Sequence, residues 1–402
     1  MNSPIHLIAA HDGGNGYMKD AIDGKRYIFP SIMSTVIDNA NNKINKKDKN
    51  AISSLLNNFQ ENMDVTLQSN GIKKNGRYLV GNSANTSNNI VLGFNVNSNE
   101  GKSSSDISII CLLTLLAYTS LNKFYSKNGE LPENLTVEVD KMVTALPIDE
   151  IKIPGEREKY INRFLHQHIV TINNFSTPIQ CVINFNKVDV QPEGVIGQYG
   201  LIGDPHNINN YRNDDIFNDL KKKYGFKKFT GENIEKIGPV ISIDIGDGTI
   251  DFSVLNGVSP VPRINSSVLL GVGNIVEEAV MNLRQKYPTY GQLNRQNFMK
   301  IALRGGDKES AAFLSFIDKP IILLEQQIEE KVKSIFAKLS NQVGLIVISG
   351  GGSPLVKKYY EKDFDNIINT LMPFGAAATL WVPARYSQFL NLDGLEFRLN
   401  HM

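Results

Sequence analysis

The chain has 402 residues, 41% hydrophobic and 21% charged, which is typical of a soluble globular protein with room for two or three domains. Its 42 Lys and Arg residues almost balance its 41 Asp and Glu residues, so a strongly basic nucleic-acid-binding face is not its main feature. Cys111 and Cys181 stand alone in apolar runs, and we expect buried thiols there rather than a zinc site or a disulfide.

Neither a signal peptide nor a membrane span is predicted. The sequence begins Met1-Asn2-Ser3-Pro4, without a basic segment followed by an apolar stretch. The most apolar window, Ile107–Tyr118, is shorter than the ~20 residues that a spanning helix needs, so we expect a core helix. These features predict a cytoplasmic protein that makes no membrane contact.

Short apolar runs separated by Gly-rich and Asp-Gly turns open the chain and predict a β-meander. These runs are Ile5–Ala10, Tyr17–Ile22 and Lys25–Phe29. A further strand is predicted at Arg77–Gly81, whereas the polar segments Asp38–Asn50 and Asn85–Ser105 are predicted loops.

The middle of the chain predicts alternating helices and strands. The helices are Asp106–Phe124 and Gly155–Val170, and the strands are Leu135–Leu146 and Ile179–Val190. Asp106 is the expected N-cap of the first helix. The second is predicted from the helical spacing of Ile161, Phe164, Leu165 and Ile169. Gly203–Asn233 is polar and weakly periodic, as in an insertion or the approach to a domain boundary.

A second half begins near Ile237 and repeats part of the first. Its predicted strands and helices are Val240–Ile245, Ile250–Leu255, Asn274–Tyr287, Ile321–Leu339 and Leu345–Ile348. The strand, Asp-Gly turn and strand at Ile8–Lys19 recur at Ile241–Val254. This weak repeat predicts two similar halves that face each other.

The first glycine-rich turn is Asp12-Gly13-Gly14-Asn15-Gly16, between two predicted strands. A tight glycine turn can direct backbone N–H groups at an anion, and the adjacent carboxylate can hold a hydrated Mg²⁺. Lys19 on the following strand could reach phosphate oxygens. An ordinary hairpin turn is the alternative interpretation of this segment.

The second turn, Asp244-Ile245-Gly246-Asp247-Gly248-Thr249-Ile250-Asp251, gives a stronger signal. Asp244 ends a buried β-branched strand, where an unpaired charge is costly, so it needs a partner such as a cation. Gly246 and Gly248 allow close backbone approach, and Thr249 adds a hydroxyl donor. A plain hairpin remains the alternative, although two such hairpins in matched halves disfavour it.

A third glycine-rich segment, Ser349-Gly350-Gly351-Gly352-Ser353-Pro354, follows a predicted buried strand. Three glycines remove the side chains where a flat or bulky group must approach the backbone. Pro354 can open a helix, whose N-terminus would face an anion. The alternative is a flexible loop.

One acidic residue stands where a catalytic carboxylate is useful. Glu193 lies just past the predicted strand Ile179–Val190, and a carboxylate in such a place can orient a water molecule. Asp189 is the fallback candidate, and a surface glutamate in a turn is the alternative interpretation. His166 and His168 would not share a helical face and are expected to be solvated or structural.

The order of the three glycine-rich segments resembles phosphate loop one, phosphate loop two and the adenosine loop of the actin, hexokinase and seventy-kilodalton chaperone superfamily. Weaker matches are Thr144-Ala145-Leu146-Pro147, Val188–Gly194 and Leu270-Gly271-Val272-Gly273-Asn274. Together they resemble the bacterial, ParM-like class of plasmid-segregating actin ATPases. The sequence departs from that pattern at His11, Gly14 and Ala145.

The resemblance implies an α/β, actin-like fold, in which two similar halves each have a mixed β-sheet flanked by helices, with a nucleotide cleft between them. The expected domains are residues 1–236, with a small inserted subdomain around 30–100, and residues 237–402, with a small subdomain around 285–340. The C-terminal residues are expected to pack back on the first domain.

The resemblance also assigns residues. Asp12 and Asp244 would hold Mg²⁺, and Glu193 would orient the attacking water, so these three form the expected catalytic set. The expected nucleotide-binding positions are Gly13, Gly14, Asn15, Gly16, Lys19, Gly246, Asp247, Gly248, Thr249, Gly271, Gly273, Gly350, Gly351, Gly352 and Ser353. The implied cofactors are Mg²⁺ and ATP, with GTP left open.

The function implied is a nucleotide-dependent filament that segregates plasmid DNA through a DNA-binding adaptor, without touching the DNA itself. ATP would close the two halves and favour polymerisation, and hydrolysis would destabilise the filament. Asp38–Asn50 and Asn85–Ser105 fall where such proteins carry polymer contacts.

Three alternatives are weighed against the filament. A sugar or metabolite kinase needs an Asp general base and a sugar pocket, and no such motif is seen. A chaperone needs a substrate-binding domain after the adenosine loop, where too few residues follow. A scaffold that binds nucleotide without turnover remains open.

Overall fold

The computed structural model describes residues 3–36, 43–87, 89–94, 101–374 and 377–402. Parts of the predicted loops Asp38–Asn50 and Asn85–Ser105 therefore lie outside the described residues. The chain divides into two compact units. The first unit comprises Met1–Leu146, Glu150–Gln191 and Arg398–Met402, and the second comprises Pro147–Asp149 and Pro192–Phe397.

The division between the units falls after Gln191, well before the predicted boundary at residues 236 and 237. Hydrophobic packing explains this difference, because Val195, Leu201 and Phe217 share a core cluster with Val240 and Leu345 of the second sheet. Residues 398–402 belong to the first unit.

The first unit begins with the predicted β-meander. Its strands are β1 Ile5–Gly13, β2 Tyr17–Ile22, β3 Lys25–Pro30, β4 Ile32–Thr35, β5 Asp64–Ser69, β6 Gly76–Val80, β7 Val91–Gly93, β8 Asn134–Leu146, β9 His168–Ile172, β10 Ile179–Phe185 and β11 Val188–Pro192. Its helices are α1 Lys49–Asn57, α2 Asn82–Asn85, α3 Asp106–Asn128, α4 Ile148–Ile151, whose first residues belong to the second unit, and α5 Glu156–Phe164.

These strands form one mixed sheet. Across the described residues its order is β3-β2-β1-β8-β10-β9-β5-β6-β4-β7, with β11 also paired to β8. β1 pairs antiparallel with β2 and parallel with β8. The strands of the predicted insertion around 30–100 extend this sheet, because β5 pairs with β9.

Helix α3 is the core of the first unit. Every residue from Ile107 to Leu121 is buried, so packing on all sides stabilises the helix. Among the described residues it is long and apolar enough to cross a membrane by length and composition, but 83% of its most apolar window is buried inside the protein. The predicted core helix is thus observed. Its N-cap is Ser105, whose hydroxyl accepts from the Ile107 N–H, and the predicted cap Asp106 is the first helical residue instead.

Three further predictions for the first unit were wrong. Strand β7, Val91–Gly93, lies within the predicted loop Asn85–Ser105. The helix predicted over Gly155–Val170 ends at Phe164, and His168–Ile172 is strand β9, because β9 pairs with both β5 and β10. The strand predicted over Ile179–Val190 is divided into β10 and β11. Cys111 and Cys181 are free and buried, as predicted.

The second unit contains the remaining elements. Its strands are β12 Gly203–Asp204, β13 Asn207–Tyr211, β14 Pro239–Ile245, β15 Ile250–Asn256, β16 Ser259–Pro260, β17 Ser266–Val268, β18 Leu345–Ser349 and β19 Ala378–Trp381. Its helices are α6 Val195–Ile202, α7 Asn218–Tyr224, α8 Gly231–Lys236, α9 Val272–Lys286, α10 Arg295–Ala302, α11 Lys308–Ser315, α12 Pro320–Lys338, α13 Ser353–Leu371, α14 Ala384–Ser387 and α15 Leu390–Asn400.

Strands β14 and β15 form an antiparallel hairpin, and β14 pairs parallel with β18. Within its own unit this hairpin therefore has the pairing pattern of β1, β2 and β8, as the sequence repeat predicted. Side chains alternate between the faces of β14. Ile241, Ile243 and Ile245 lie in the cluster with α9, α12 and α13, and Val240 lies in the cluster with α6 and α15. Alternation places Asp244 on the side of Val240.

Candidate functional site

The first glycine-rich turn joins β1 to β2. Asp12 is opposite Lys19 in this hairpin, and the Lys19 ammonium donates to the Asp12 carboxylate. Asp12 is only 2% exposed, so this ion pair supplies the partner that a buried carboxylate needs. In this structure the two side chains therefore neutralise each other.

Packing requires glycine at two positions of this turn. A Cβ at Gly13 would collide with the Ser108 hydroxyl, and one at Gly14 would lie 2.6 Å from the Tyr17 carbonyl oxygen. The Gly14 N–H donates to the Asp12 carbonyl at 2.9 Å. Asn15 and Gly16 form the partly exposed bend between the strands, where a ligand could reach them.

A buried polar network lies behind this turn, and sequence reasoning noted only its first member, His11. One His11 ring nitrogen is 2.6 Å from Asp20 Oδ1 and the other is 2.7 Å from Ser108 Oγ. Burial raises the pKa of the Asp20 carboxyl. All three side chains are fully buried, so a nucleophilic role is excluded by access. The network holds β1, β2 and α3 together beside Asp12.

The second turn, between β14 and β15, is closed by the Gly246 N–H, which donates to the Thr249 carbonyl at 2.8 Å. The carbonyls of Gly246 and Asp247 accept from the N–H groups of Val272 and Gly273 at 3.0 and 2.7 Å. The turn therefore caps the N-terminus of α9, whose orphan N–H groups it satisfies.

Gly271 and Gly273 make this capping possible. A Cβ at Gly271 would lie 2.7 Å from the Gly246 carbonyl oxygen, and one at Gly273 would lie 2.6 Å from that of Asp247. Arg295, which the sequence analysis missed, donates from Nη1 to Asp247 Oδ2 at 2.8 Å. These contacts fix the turn. Gly271 and Gly273 therefore lie behind the turn and support its conformation.

Thr249 and the buried Gly248 complete the turn. The Thr249 hydroxyl donates to Asp251 Oδ2 at 3.0 Å. Asp251 is 1% exposed and also accepts from the Ser267 hydroxyl and from the Ile148 N–H, the latter at 3.2 Å. This carboxylate is thus part of the local hydrogen-bond network.

Asp244 lies at the end of β14 and is 7% exposed. Its Oδ2 accepts from the Asn391 side-chain amide at 2.6 Å, and a Cβ at Gly350 would collide with its Oδ1. The missing side chain at Gly350 therefore leaves space for the carboxylate. Such an oxygen donor at a strand end suits hydrated Mg²⁺, which is typically held by one or two carboxylates together with phosphate oxygens.

Across the described ranges, no group of three or more His, Cys, Asp or Glu residues is arranged to hold a metal ion. A cation at Asp12 or Asp244 would therefore need ligands from water or from a bound phosphate, which is the usual coordination of Mg²⁺ in nucleotide sites.

The glycine run between β18 and α13 divides into supporting and open positions. Gly350 has a φ of 92°, in the region that favours glycine, and a Cβ at Gly352 would lie 2.5 Å from Val272 Cγ2. At Gly351, which is exposed, the nearest atom to a Cβ would be Gln388 Cβ at 3.9 Å. Gly351 is the member of the run with open space beside it.

Helix α13 begins at Ser353, with Pro354 in its first turn as predicted. The N–H groups of Gly352 and Ser353 donate to the carbonyls of Ile245 and Gly350 at 2.8 and 3.1 Å, and Pro354 has no N–H group. The Ser353 hydroxyl is 2.6 Å from that of Ser387. These donors are occupied within the protein, which weakens the predicted anion site at this helix N-terminus.

Glu193 lies in the turn between β11 and α6 and is 7% exposed. Its carbonyl accepts from the Val195 N–H at 2.8 Å. The following residue, Gly194, has a φ of 72°, and a Cβ there would lie 3.3 Å from Ser253 Oγ. The turn therefore packs against β15, and α6 begins directly after it at Val195.

The fallback candidate, Asp189, is already engaged. Its Oδ1 accepts from Arg157 at 2.7 Å, and its Oδ2 accepts from Gln191 at 2.7 Å and from Arg398 at 3.0 Å. A carboxylate with these partners has little capacity left for a water. His168 is buried between Ser69 Oγ and the Phe164 carbonyl, which is the structural role predicted.

Residues 10–195 match the family model described as the N-terminal domain of actin-like proteins. The chain is similar to the solved structure of the actin-like protein Alp7A, with 15% identity and a TM-score of 0.64, over 99% of this chain and 97% of that chain. It is also similar to a non-polymerisable quadruple mutant of pCBH ParM, with 19% identity and a TM-score of 0.60 over 98% and 99%.

A third similar structure is Ta0583, an archaeal actin homolog, in complex with ADP. It shows 16% identity and a TM-score of 0.59, over 98% of this chain and 100% of that chain. No curated protein sequence matches the chain. The predicted fold class is confirmed: the chain has an actin-like fold, with a mixed sheet flanked by helices in each of its two units. The match over residues 10–195 agrees with the actin-like resemblance found in the sequence.

Proposed function

We propose that this protein is an ATPase that assembles into filaments when it binds ATP. The observation that carries the proposal is Asp244, a buried carboxylate at a strand end with an amide on one oxygen and a missing Cβ beside the other. It lies between the second glycine-rich turn and the glycine run. The sequences of both segments resemble nucleotide-binding loops. The similarity to ParM, Alp7A and an ADP complex of an archaeal actin supports the same reading.

In this proposal Asp12 and Asp244 hold hydrated Mg²⁺ together with the phosphates of the nucleotide. The ion would neutralise charge on the phosphates during phosphoryl transfer. Lys19 would exchange part of its ion pair with Asp12 for a phosphate oxygen, because an ammonium is a point charge with three donors. The bend Asn15-Gly16 and the turn Gly246–Thr249 would contact the phosphates.

Gly351 is the proposed contact for the base or ribose, since it is exposed and has open space beside its backbone. The neighbouring Gly350, Gly352 and Ser353, and likewise Gly271 and Gly273, would act by shaping the loops. Nothing in this set distinguishes adenine from guanine, so GTP is tested alongside ATP below.

Glu193 is the proposed residue that orients the attacking water. Its buried position and the glycine that follows it hold the carboxylate in a fixed turn. An orienting carboxylate contributes typically ~10²–10⁴-fold to the rate. In a filament-forming actin-like protein, assembly would promote hydrolysis, and hydrolysis would destabilise the filament.

The biological setting proposed is the cytoplasm of a bacterium. There the filament would move plasmid DNA through a DNA-binding adaptor protein. This part of the proposal depends on the resemblance to plasmid-segregating actins. The balanced charge of the chain fits a role in which the filament does not contact DNA directly.

Light scattering and high-speed sedimentation test the proposal. The wild-type protein is mixed with Mg²⁺ and ATP, GTP, ADP or a non-hydrolysable ATP analogue, and phosphate release is followed in parallel. We expect assembly with ATP, persistent filaments with the analogue, and little assembly with ADP. Nucleotide binding without turnover or assembly would favour a scaffold, and hydrolysis that requires a sugar would favour a kinase. Either result would refute the proposed function.

A further inference from the structure

We propose that Asn391, on α15, is a positioning residue that orients the Asp244 carboxylate for Mg²⁺ and couples it to helix α6. The inference rests on the proposed function and goes beyond it, because the glycine-loop motifs contain no signal for a residue on the C-terminal helix. Asn391 and Asp244 are 147 residues apart in the sequence.

The first part of the argument is the hydrogen bond itself. The Asn391 amide nitrogen lies 2.6 Å from Asp244 Oδ2, which is a short N–H···O hydrogen bond. Asp244 is 7% exposed, so bulk water screens this contact weakly. The amide therefore fixes the rotation of the carboxylate.

The second part is the tight packing of α15 on α6. A Cβ at Gly197 would lie 2.7 Å from Asn391 Oδ1, and one at Gly200 would lie 2.7 Å from the Leu390 carbonyl oxygen. On α15, a Cβ at Gly394 would collide with the Ile196 carbonyl oxygen. The helix backbones are in direct contact at these glycines, so the Asn391 side chain is confined between α6 and β14.

A buried ion pair keeps the two helices together. Arg212 and Asp393 are each 2% exposed. Arg212 Nη1 donates to Asp393 Oδ2 at 2.6 Å and to the Gly200 carbonyl at 2.7 Å. This guanidinium ties α15 to the C-terminal half of α6, whose N-terminus follows the turn of Glu193. A shift of α6 would therefore displace Asn391.

The chemistry explains why the residue is an asparagine. Its amide donates to a carboxylate on one side and presents an oxygen to α6 on the other. A leucine of similar size has no donor, and an aspartate would bring a second negative charge against Asp244. Partners that orient metal-binding side chains typically contribute 10- to 100-fold to metal affinity.

The test measures ATP affinity by calorimetry in Mg²⁺ and again in EDTA, for the wild type and four variants. Asn391→Leu removes the donor, and Asn391→Gln keeps it. Gly197→Ala perturbs the amide from α6 without touching Asp244. Asn400→Leu, at an exposed position on the same helix, is the matched control. Thermal melting of each nucleotide-free variant is recorded alongside.

We expect Asn391→Leu and Gly197→Ala to lose about 10- to 100-fold of the gain in ATP affinity that Mg²⁺ provides, with the affinity in EDTA unchanged. Asn391→Gln should retain most of the gain, and Asn400→Leu all of it. A full gain in Asn391→Leu would overturn the inference. So would equal losses with and without Mg²⁺ together with a lower melting temperature, because these would indicate a structural role only. If Mg²⁺ does not change ATP affinity in the wild type, the proposed function itself fails, and the inference fails with it.

Discussion

Gly351→Val tests the glycine run because the three glycines differ in their surroundings. The nearest atom to a Cβ at Gly351 would be Gln388 Cβ, at 3.9 Å, so the protein can accept a side chain there. A Cβ at Gly352 would lie 2.5 Å from Val272 Cγ2 and 3.0 Å from Ile245 Cγ2, so any side chain overpacks the core. The two substitutions should therefore affect different properties.

The magnitudes follow from these distances. Gly351→Val should change the free energy of unfolding by no more than about 0.5 kcal/mol, as at other exposed sites. Gly352→Ala should lower it by about 1–3 kcal/mol, the usual cost of inserting a carbon into a packed core. If the base or ribose lies against residue 351, the valine should weaken ATP binding by at least about tenfold, or about 1.4 kcal/mol.

Urea unfolding measures the first quantity and calorimetric ATP titration the second, with wild type, Gly351→Val and Gly352→Ala in the same buffer. Gly351→Ala serves as the graded control and should have a smaller effect on binding than the valine. Normal ATP affinity in a fully folded Gly351→Val would refute the assignment of this backbone to the nucleotide. Wild-type stability in Gly352→Ala would refute the packing argument.

The remaining predictions concern individual side chains. Asp244→Ala should abolish the Mg²⁺ dependence of ATP binding, and a variant whose affinity still differs between Mg²⁺ and EDTA would contradict the metal assignment. Asp189→Ala should lower stability, because it leaves Arg157 and Arg398 without their shared acceptor, while the ATPase rate per folded molecule stays near wild type; a rate loss at unchanged stability would return Asp189 to the catalytic candidates. Burial lowers the pKa of His168 in the folded protein. On acidification, the unfolded chain therefore takes up a proton at this residue before the folded protein does. The stability gained by burying neutral His168 is therefore complete above the unfolded pKa of about 6.5. It is lost as the pH falls below that value toward the lower pKa of the folded protein. Urea unfolding between pH 7 and pH 5.5 should therefore show a weaker pH dependence in His168→Gln than in wild type, and equal slopes would contradict this.

Hairpins were the features most readily predicted from the sequence. The β1–β2 and β14–β15 hairpins combine alternating buried side chains with glycine turns, and both signals are local. The same holds for α3, whose apolar interior has no other stable placement in water. Because the turns were located, Asp12, Lys19 and Asp244 were also placed correctly on their strands.

Long-range pairing could not be predicted in the same way. The apolar residues of Gly155–Val170 fit a helix, but Val170 pairs with Leu67 and with Cys181 in the sheet, and these partners leave no trace in local periodicity. Asn391 and Arg295 were missed for the same reason. Each acts on a carboxylate far away in the sequence, and an isolated Asn or Arg on a helix carries no motif.

The polar segment Gly203–Asn233 shows how a buried charge can mislead. Its composition suggested an insertion or the approach to a domain boundary, yet it contains Arg212, which is 2% exposed and pairs with Asp393. A charged residue becomes a core residue when its partner and its hydrogen bonds are supplied by other elements. Only the folded structure brings those elements together.

The most direct test of the account follows phosphate release and light scattering on one sample, for wild type, Glu193→Ala and the control Glu278→Ala at an exposed position of α9. Wild type and Glu278→Ala should assemble with ATP, release phosphate and then disassemble. Glu193→Ala should bind ATP and assemble but release phosphate roughly 10²–10⁴-fold more slowly, leaving long-lived filaments. Phosphate release at the wild-type rate in Glu193→Ala would contradict its catalytic role, and a wild-type protein that neither assembles nor hydrolyses ATP would contradict the account as a whole.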